Sequence, residues 1–132
     1  MTLPHARHEQ LLVRTIAHEI VVYDLARAKV HALNRTAAIV WRCCDGRTTV
    51  AEAAAVVAAE LDQPPSEEIV CLALEQLSGR HLLQAPFPAA AGEPRARRRE
   101  VLAKLAVALV ALPAILSMAS PASGQAKSKP KP

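Results

Sequence analysis

The sequence contains few of the residues on which catalytic, redox and metal sites usually depend. Its 132 residues include 3 Cys, 4 Gly and one each of Trp, Tyr and Phe. The cysteines do not suggest a disulfide framework, and no C-x-x-C spacing indicates a structural zinc site. The chain has no Gly-rich phosphate loop, no nucleophile elbow and no pair of acids at a useful spacing. We therefore expect a protein that is not an enzyme and that carries neither a metal nor another cofactor.

Positive charge is scarce in the first part of the chain and concentrated at its end. Residues 1–94 contain 8 Lys and Arg against 11 Asp and Glu, whereas residues 95–132 contain 8 against 1. The overall net charge of +4 therefore belongs to the tail. A basic surface is the usual footprint of a nucleic-acid-binding domain. The acidic balance of residues 1–94 argues against nucleic acid as the partner of the folded region.

Three short runs near the N-terminus have the alternation and the β-branched composition typical of strands. They span residues 10–16, 19–23 and 30–33. Their close succession predicts a three-stranded antiparallel meander. Residues 1–9 show no periodicity and are predicted to be a flexible lead-in.

Three helices are predicted after the strands, each from an apolar stripe and a capping residue. Asn34, Thr49 and Ser66 have side chains that can accept an unpaired N–H of the first helical turn, and Thr49 with Glu52 has the spacing of a capping box. The helices span about residues 35–44, 50–61 and 67–78. The strands and helices together predict an α+β domain over residues 10–84, a small winged helix-turn-helix.

The last third of the chain has a different composition. Residues 85–94 contain three prolines without periodicity and are predicted to be a linker. Residues 95–119 join an arginine cluster to an apolar run that predicts a C-terminal hydrophobic helix, and residues 120–132 are predicted to be a disordered basic tail. Residues 101–119 could cross a bilayer core of about 30 Å if Lys104 snorkels. Packing of this helix on a partner is the alternative.

An exposed sheet edge beside the third helix is the strongest candidate site. Such an edge presents unpaired N–H and C=O groups, to which an extended peptide can add as a further strand. The candidate peptide-binding residues are Val30, His31, Ala32 and Leu33 on the strand and Ile69, Ala73, Gln76 and Arg80 on the helix. The alternative is that Ile69 and Ala73 only widen the core contact. His31 is expected to be half exposed on its strand.

The predicted architecture leaves two other functions open. A winged helix suits a DNA-binding regulator, whose recognition helix needs basic and polar side chains. The third helix instead carries Glu67, Glu68 and Glu75 and has no Lys or Arg before Arg80, so it would repel phosphate. The third option is a membrane-tethered interaction protein whose tail does the main work.

The spacing of many of these residues resembles the PqqD family of small peptide chaperones, which serve pyrroloquinoline quinone biosynthesis and related pathways. The resemblance covers about residues 19–83. Its elements are Leu33-Asn34 ahead of Thr36-Ala37, Trp41, Asp45-Gly46 with Thr49 and Val50, and Leu74, Leu77 and Leu82-Leu83.

The resemblance implies a recognition element for the leaders of ribosomally made, modified peptides. It implies that the leader docks as an extra strand on the third strand, against the third helix. The implied partners are a precursor peptide and a maturation enzyme such as a radical SAM protein. Apart from the resemblance, the cysteine usage predicts reduced thiols in a cytoplasmic protein. Four arginines before the apolar run against three lysines after it predict attachment to the inner face of the membrane if residues 101–119 serve as an anchor. The chain departs from typical members in carrying residues 95–132.

Overall fold

The computed structural model describes residues 2–85 and 112–119. These ranges contain four strands and three helices, which confirms the predicted α+β class. The strands are β1 (Leu11–Ile16), β2 (Glu19–Asp24), β3 (Lys29–Leu33) and β4 (Ile115–Ala119), and the helices are α1 (Arg35–Arg42), α2 (Val50–Leu61) and α3 (Glu67–Gly79). The strands form one antiparallel sheet in the order β1-β2-β3-β4.

The first three strands form the predicted meander, and tight turns without glycine join them. Ile20 and Val22 on β2 alternate with more exposed residues and point into the core. The β2–β3 turn is organised by Asp24, whose carboxylate accepts the N–H of Ala26 at 3.1 Å. Ala28 completes the turn with φ of +54°, a conformation that alanine adopts at a cost. The turn is therefore stabilised by hydrogen bonds to the Asp24 carboxylate, and the position with positive φ is occupied by alanine and not by glycine.

The three predicted N-caps are present. Asn34 Oδ1 accepts the N–H of Ala37 at 3.0 Å and begins α1. Thr49 and Glu52 exchange both bonds of a capping box, at 3.0 and 2.9 Å, and begin α2. Ser66 begins α3 in the same manner. Each helix thus starts where its side-chain acceptor satisfies an otherwise unpaired N–H.

The helices pack together against the inner face of the meander. Small and branched side chains fill the core, because the chain has so few aromatic residues. The fully buried members include Ala37, Val40, Ala53, Val70, Leu74 and Leu77. Trp41 is the large exception, and its indole N–H donates to the carbonyl of Leu82 at 3.0 Å. That bond ties α1 to the segment that follows α3.

The N-terminal residues differ from the predicted flexible lead-in. Leu3 is fully buried, and its N–H donates to the carbonyl of Thr48 at 2.8 Å. The N–H of Ala6 donates to the carbonyl of Cys44, also at 2.8 Å. The segment is held by the buried side chains of Leu3 and Ala6, by scattered backbone bonds and by an ion pair of Arg7 with Asp24, so it carries no periodicity that a sequence pattern could reveal.

The C-terminal segment also differs from prediction, because residues 115–119 form a strand and not part of a hydrophobic helix. Pro113 has no N–H and disfavours helical backbone at the residue before it, Leu112. The edge of β3 offers unpaired N–H and C=O groups that an extended segment can satisfy. The predicted three-stranded meander is therefore a four-stranded sheet.

Several predicted segments lie outside the described residues. They are most of the 85–94 linker, the arginine cluster and apolar run up to residue 111, and the tail at 120–132. None of the helices in the described part of the chain combines the length and the apolar character needed to cross a membrane.

Candidate peptide-binding groove

The candidate groove lies between the edge of β3 and helix α3, and a segment of the same chain occupies it. Pairing runs from Leu33 opposite Ile115 to Lys29 opposite Ala119. Residues 112–114, which precede β4, continue along α3. We call residues 112–119 the docked segment. The edge that the sequence predicted to be exposed is thus covered from within the chain.

The alternation of the ladder assigns which backbone groups of β3 face the groove. Just beyond β3, the N–H of Asn34 donates to the carbonyl of Ala114 at 3.0 Å. Pairs that exchange hydrogen bonds alternate with pairs that do not in an antiparallel ladder. The next pairs whose backbone groups point at each other to exchange hydrogen bonds are therefore Ala32 with Leu116 and Val30 with Met118. The N–H and C=O groups of Val30 and Ala32 are the ones available to a strand in the groove.

Asn34 closes one end of the groove with its side-chain amide. Its Nδ2 donates to the carbonyl of Leu112 at 2.8 Å. Its Oδ1 accepts the N–H of Ala114 at 3.1 Å while also capping α1 through Ala37. One side chain therefore fixes both the start of the helix and the entry of the extended segment. The sequence predicted the cap but not the second role, although the position of Asn34 at the junction of edge strand and helix is the signal for it.

Helix α3 supplies the wall of the groove. Gln76 Nε2 donates to the carbonyl of Pro113 at 3.2 Å. Ile69 and Leu72, which are 1% and 5% exposed, form a small apolar cluster with Leu112. Gln76 Oε1 is buried and has no hydrogen-bond partner among the described residues. The wall thus offers an apolar contact, one used amide donor and one unused acceptor.

The far end of the groove is polar and cationic. His31 is 2% exposed, which contradicts the expectation of a half-exposed residue, and its Nδ1 lies 2.7 Å from Ser117 Oγ in a hydrogen bond. Burial lowers the pKa of the His31 imidazole below its usual value. A cavity of about 410 Å³ opens beside this pair. Its lining includes Arg27, Lys29, Arg80 and His81.

Residues 19–83 match the model of the PqqD family, described as coenzyme PQQ synthesis protein D. This region is a PqqD domain. No curated protein and no solved structure matches the chain. The match supports, in general terms, a peptide-binding role connected with coenzyme PQQ synthesis. The PqqD domain contains both sides of the groove, β3 and α3, whereas the docked segment comes from outside it.

The structure distributes the predicted site residues of the PqqD domain in two groups. The strand residues Val30, His31, Ala32 and Leu33 form the paired edge, and Ile69, Gln76 and Arg80 border the groove or its cationic end. Ala73 is fully buried in the main core, as the alternative interpretation held. Sequence reasoning missed Leu72 and the second role of Asn34. Leu72 was not predicted because it lies outside the face of the third helix that was expected to border the groove.

The buried titratable groups around the PqqD domain have structural partners. Burial raises the pKa of the Asp24 carboxyl, but hydrogen bonds from Arg7 and from the backbone of Arg27 outweigh it, so the pKa lies below its usual value. Burial raises the pKa of the Cys44 thiol to about 12, which keeps this thiol protonated. Within residues 2–85 and 112–119, no three His, Cys, Asp or Glu side chains come close enough to hold a metal ion.

Proposed function

We propose that this protein is a non-catalytic peptide chaperone that captures the leader of a ribosomally made precursor peptide by strand addition. The leader pairs with β3 against α3 and is presented to a maturation enzyme, such as a radical SAM protein, in PQQ or related modified-peptide biosynthesis. The observation that carries the proposal is that this edge already holds an extended segment, Ile115–Ala119, in antiparallel register. The family match over residues 19–83 supports it independently.

The groove provides the two components that strand addition requires. Backbone groups of Val30 and Ala32 give hydrogen bonds to any extended peptide, whatever its sequence. The apolar wall at Ile69 and Leu72 and the polar end at His31 distinguish among side chains on the inward face of that peptide. Affinity therefore comes mainly from the backbone, and selectivity comes from the two ends.

The environments of the reactive side chains support a binding role. The carboxylate of Asp24 is committed to Arg7 at 2.9 Å and to the backbone of its own turn. The thiol of Cys44 is buried and donates to the carbonyl of Val40 at 3.2 Å. A nucleophile or general base needs an accessible lone pair, and these groups have structural roles instead. Capture of a freshly translated precursor assigns the protein to the cytoplasm.

Binding of labelled precursor peptides encoded beside this protein tests the proposal. We expect one of them to bind. When the docked segment is released by the groove-opening substitution described below, Val30→Pro should weaken binding at least about tenfold, since it removes a backbone donor facing the groove and bends the edge. Val30→Ala keeps that donor and is the matched control in the same background, with binding close to that of the groove-opened parent. Fluorescence anisotropy gives the affinities and circular dichroism checks the fold.

Two outcomes would overturn parts of this proposal. If no neighbouring precursor binds even when the groove is opened as described below, leader capture is wrong. If a precursor binds equally well to the folded Val30→Pro and Val30→Ala variants after the groove has been opened, the peptide is captured elsewhere and strand addition is wrong.

A further inference from the structure

The groove of the PqqD domain is filled by a segment that the domain itself does not contain. Residues 112–119 lie beyond the matched region and follow residue 85 after a connection of residues 86–111. We propose that the docked segment is a built-in peptide ligand of the groove, held in cis, and that an external peptide binds by displacing it. The displacement rests on the proposed function, whereas the docking of the segment does not.

The contacts of the docked segment are specific and continue along its length. Asn34 binds two of its residues through its side chain and one of them through its backbone as well. Gln76 binds the carbonyl of Pro113, and His31 binds Ser117. Side chains from β3, the start of α1 and α3 therefore all converge on this one segment. Such convergence is typical of a ligand in its site and not of an incidental strand pair.

The docked segment also indicates the class of peptide that the groove accepts. Ile115 is 8% exposed and Leu112 packs against Ile69 and Leu72, so these two positions call for apolar side chains. Ser117 faces His31, which calls for a small hydrogen-bonding side chain. The alternate residues Leu116 and Met118 are 70% and 57% exposed. A competing peptide is thus extended, apolar at two inward positions, small and polar at a third, and unrestricted at the outward ones.

Two features make the docked segment displaceable. Pro113 has no N–H, although its carbonyl accepts a hydrogen bond from Gln76, and Gln76 Oε1 is buried without a partner among the described residues. A peptide that supplies a donor to this acceptor gains a hydrogen bond that the docked segment does not make, since an unpaired buried acceptor is unfavourable. The outward half of β4 is also exposed, so few apolar contacts hold it. Attachment in cis compensates for these weak contacts, because a tethered ligand acts at an effective concentration in the millimolar range.

The test compares Leu116→Pro with Leu116→Ala in the full-length chain. Leu116→Pro removes the N–H that faces Ala32 and should open the groove, whereas Leu116→Ala removes only an exposed side chain. The probe is a fluorescent synthetic peptide with the sequence of residues 112–119. We expect it to bind Leu116→Pro at least about tenfold more tightly than wild type or Leu116→Ala. Equal affinity for all three folded proteins would overturn the proposal.

Met118→Pro with Met118→Ala repeats the comparison at the next facing pair and guards against an effect peculiar to one position. If the segment docks in cis, its competition with the probe peptide must not depend on the concentration of the protein. Weaker probe binding as the wild-type concentration rises would show docking on a second copy, and it would overturn the arrangement in cis.

The two proposals fail in different ways. If the probe binds Leu116→Pro tightly but none of the neighbouring precursor peptides binds it, leader capture is wrong and the built-in ligand stands. A precursor that binds wild type and Leu116→Pro equally disproves displacement and leaves leader capture intact.

Discussion

The two terminal segments both dock on the same small domain, but they are held by different physical means. The N-terminal segment buries Leu3 completely and contributes Arg7 to an ion pair with Asp24, whose side chain has no exposed surface. The C-terminal docked segment buries little beyond Pro113 and Ile115, and most of β4 is exposed. It relies on backbone pairing, on the side-chain amides of Asn34 and Gln76, and on the hydrogen bond between His31 and Ser117.

This difference separates a permanent part of the fold from an exchangeable one. Hydrophobic burial and a buried ion pair are lost only when the domain opens. An edge strand can leave while the rest of the sheet persists, since local opening needs only the contacts of that strand to break. The N-terminal segment is therefore structural, and the C-terminal segment is suited to exchange with another peptide.

The largest expected effect is at the N-terminal anchor. Leu3→Ala removes a fully buried side chain and should lower the free energy of unfolding by about 2–5 kcal/mol. Urea denaturation measures it. The control Leu116→Ala, at a side chain that is 70% exposed, should change the free energy of unfolding by less than about 0.5 kcal/mol. Similar losses in both variants would contradict the distinction between the segments.

The ion pair of the N-terminal segment should come next. Arg7→Leu leaves the buried Asp24 carboxylate without its guanidinium and should cost about 3 kcal/mol, the low end for such a loss because backbone donors remain. The control Arg27→Leu removes an arginine that is 45% exposed and 3.9 Å from the same carboxylate, and should cost less than about 1 kcal/mol. Equal costs would show that Arg7 is not the principal partner.

Acid should remove the contribution of this ion pair. The folded pKa of Asp24 is lowered, so its stabilisation is fully present above the ordinary carboxyl pKa of about 4 and is lost as the pH falls through the lowered value. Arg7→Leu removes the main opposing cause and leaves the burial that raises the pKa. Unfolding of that variant should therefore begin at a higher pH than in wild type, as acid titration followed by circular dichroism can show.

A smaller and more selective effect is expected at Asn34. Asn34→Asp keeps an oxygen that caps α1 but loses the N–H that donates to Leu112 at 2.8 Å. The free energy of unfolding should change by less than about 1 kcal/mol, while amide exchange of Leu116 should accelerate. Asn34→Ala should lose the cap as well. Unchanged exchange in Asn34→Asp would show that this amide does not hold the docked segment.

The smallest effect concerns pH at the far end of the groove. Burial lowers the pKa of His31, and the nearby Asp24 opposes it. Electrostatic interactions with Arg80, Lys29 and His81 also lower the pKa of His31. Ser117 of the docked segment lies against the His31 ring, so the segment contributes to this burial. Docking should therefore be most favourable above the ordinary imidazole pKa of about 6.5 and should weaken as the pH falls towards the lowered value. Exchange of the Met118 amide, corrected for its intrinsic rate, should be about two to ten times faster at pH 5.5 than at pH 7.5, and His31→Gln should abolish the difference. The same difference in His31→Gln would assign it to another group.

Much of the domain was predictable because its signals are local. Asn34, Thr49 and Ser66 each mark a helix start within three residues, and the alternation of Ile20 and Val22 marks a buried strand face. The candidate edge at Val30 to Leu33 was located by the same means. These elements are encoded by neighbours in the sequence, so a sequence pattern contains them.

The two docked termini were not predictable because their signals are nonlocal. Leu3 is a single apolar residue whose pocket is built by distant parts of the chain. The apolar run before residue 119 favours a helix or a membrane span by composition, and only the unpaired edge of β3 makes a strand of Ile115–Ala119 favourable. Likewise, the role of Asn34 in the groove becomes visible only when Leu112 and Ala114 are placed beside it.

Amide hydrogen exchange of the full-length protein, with and without a bound precursor peptide, tests the central distinction most directly. The amides of Leu3 and Ala6 should exchange only with global unfolding, whereas those of Leu116 and Met118 should exchange through local opening. A saturating leader peptide should accelerate exchange at Leu116 and Met118 at least about tenfold and leave Leu3 and Ala6 slow. Protection of Leu116 and Met118 that equals that of Leu3, or that is unchanged by a bound leader, would contradict an exchangeable built-in ligand.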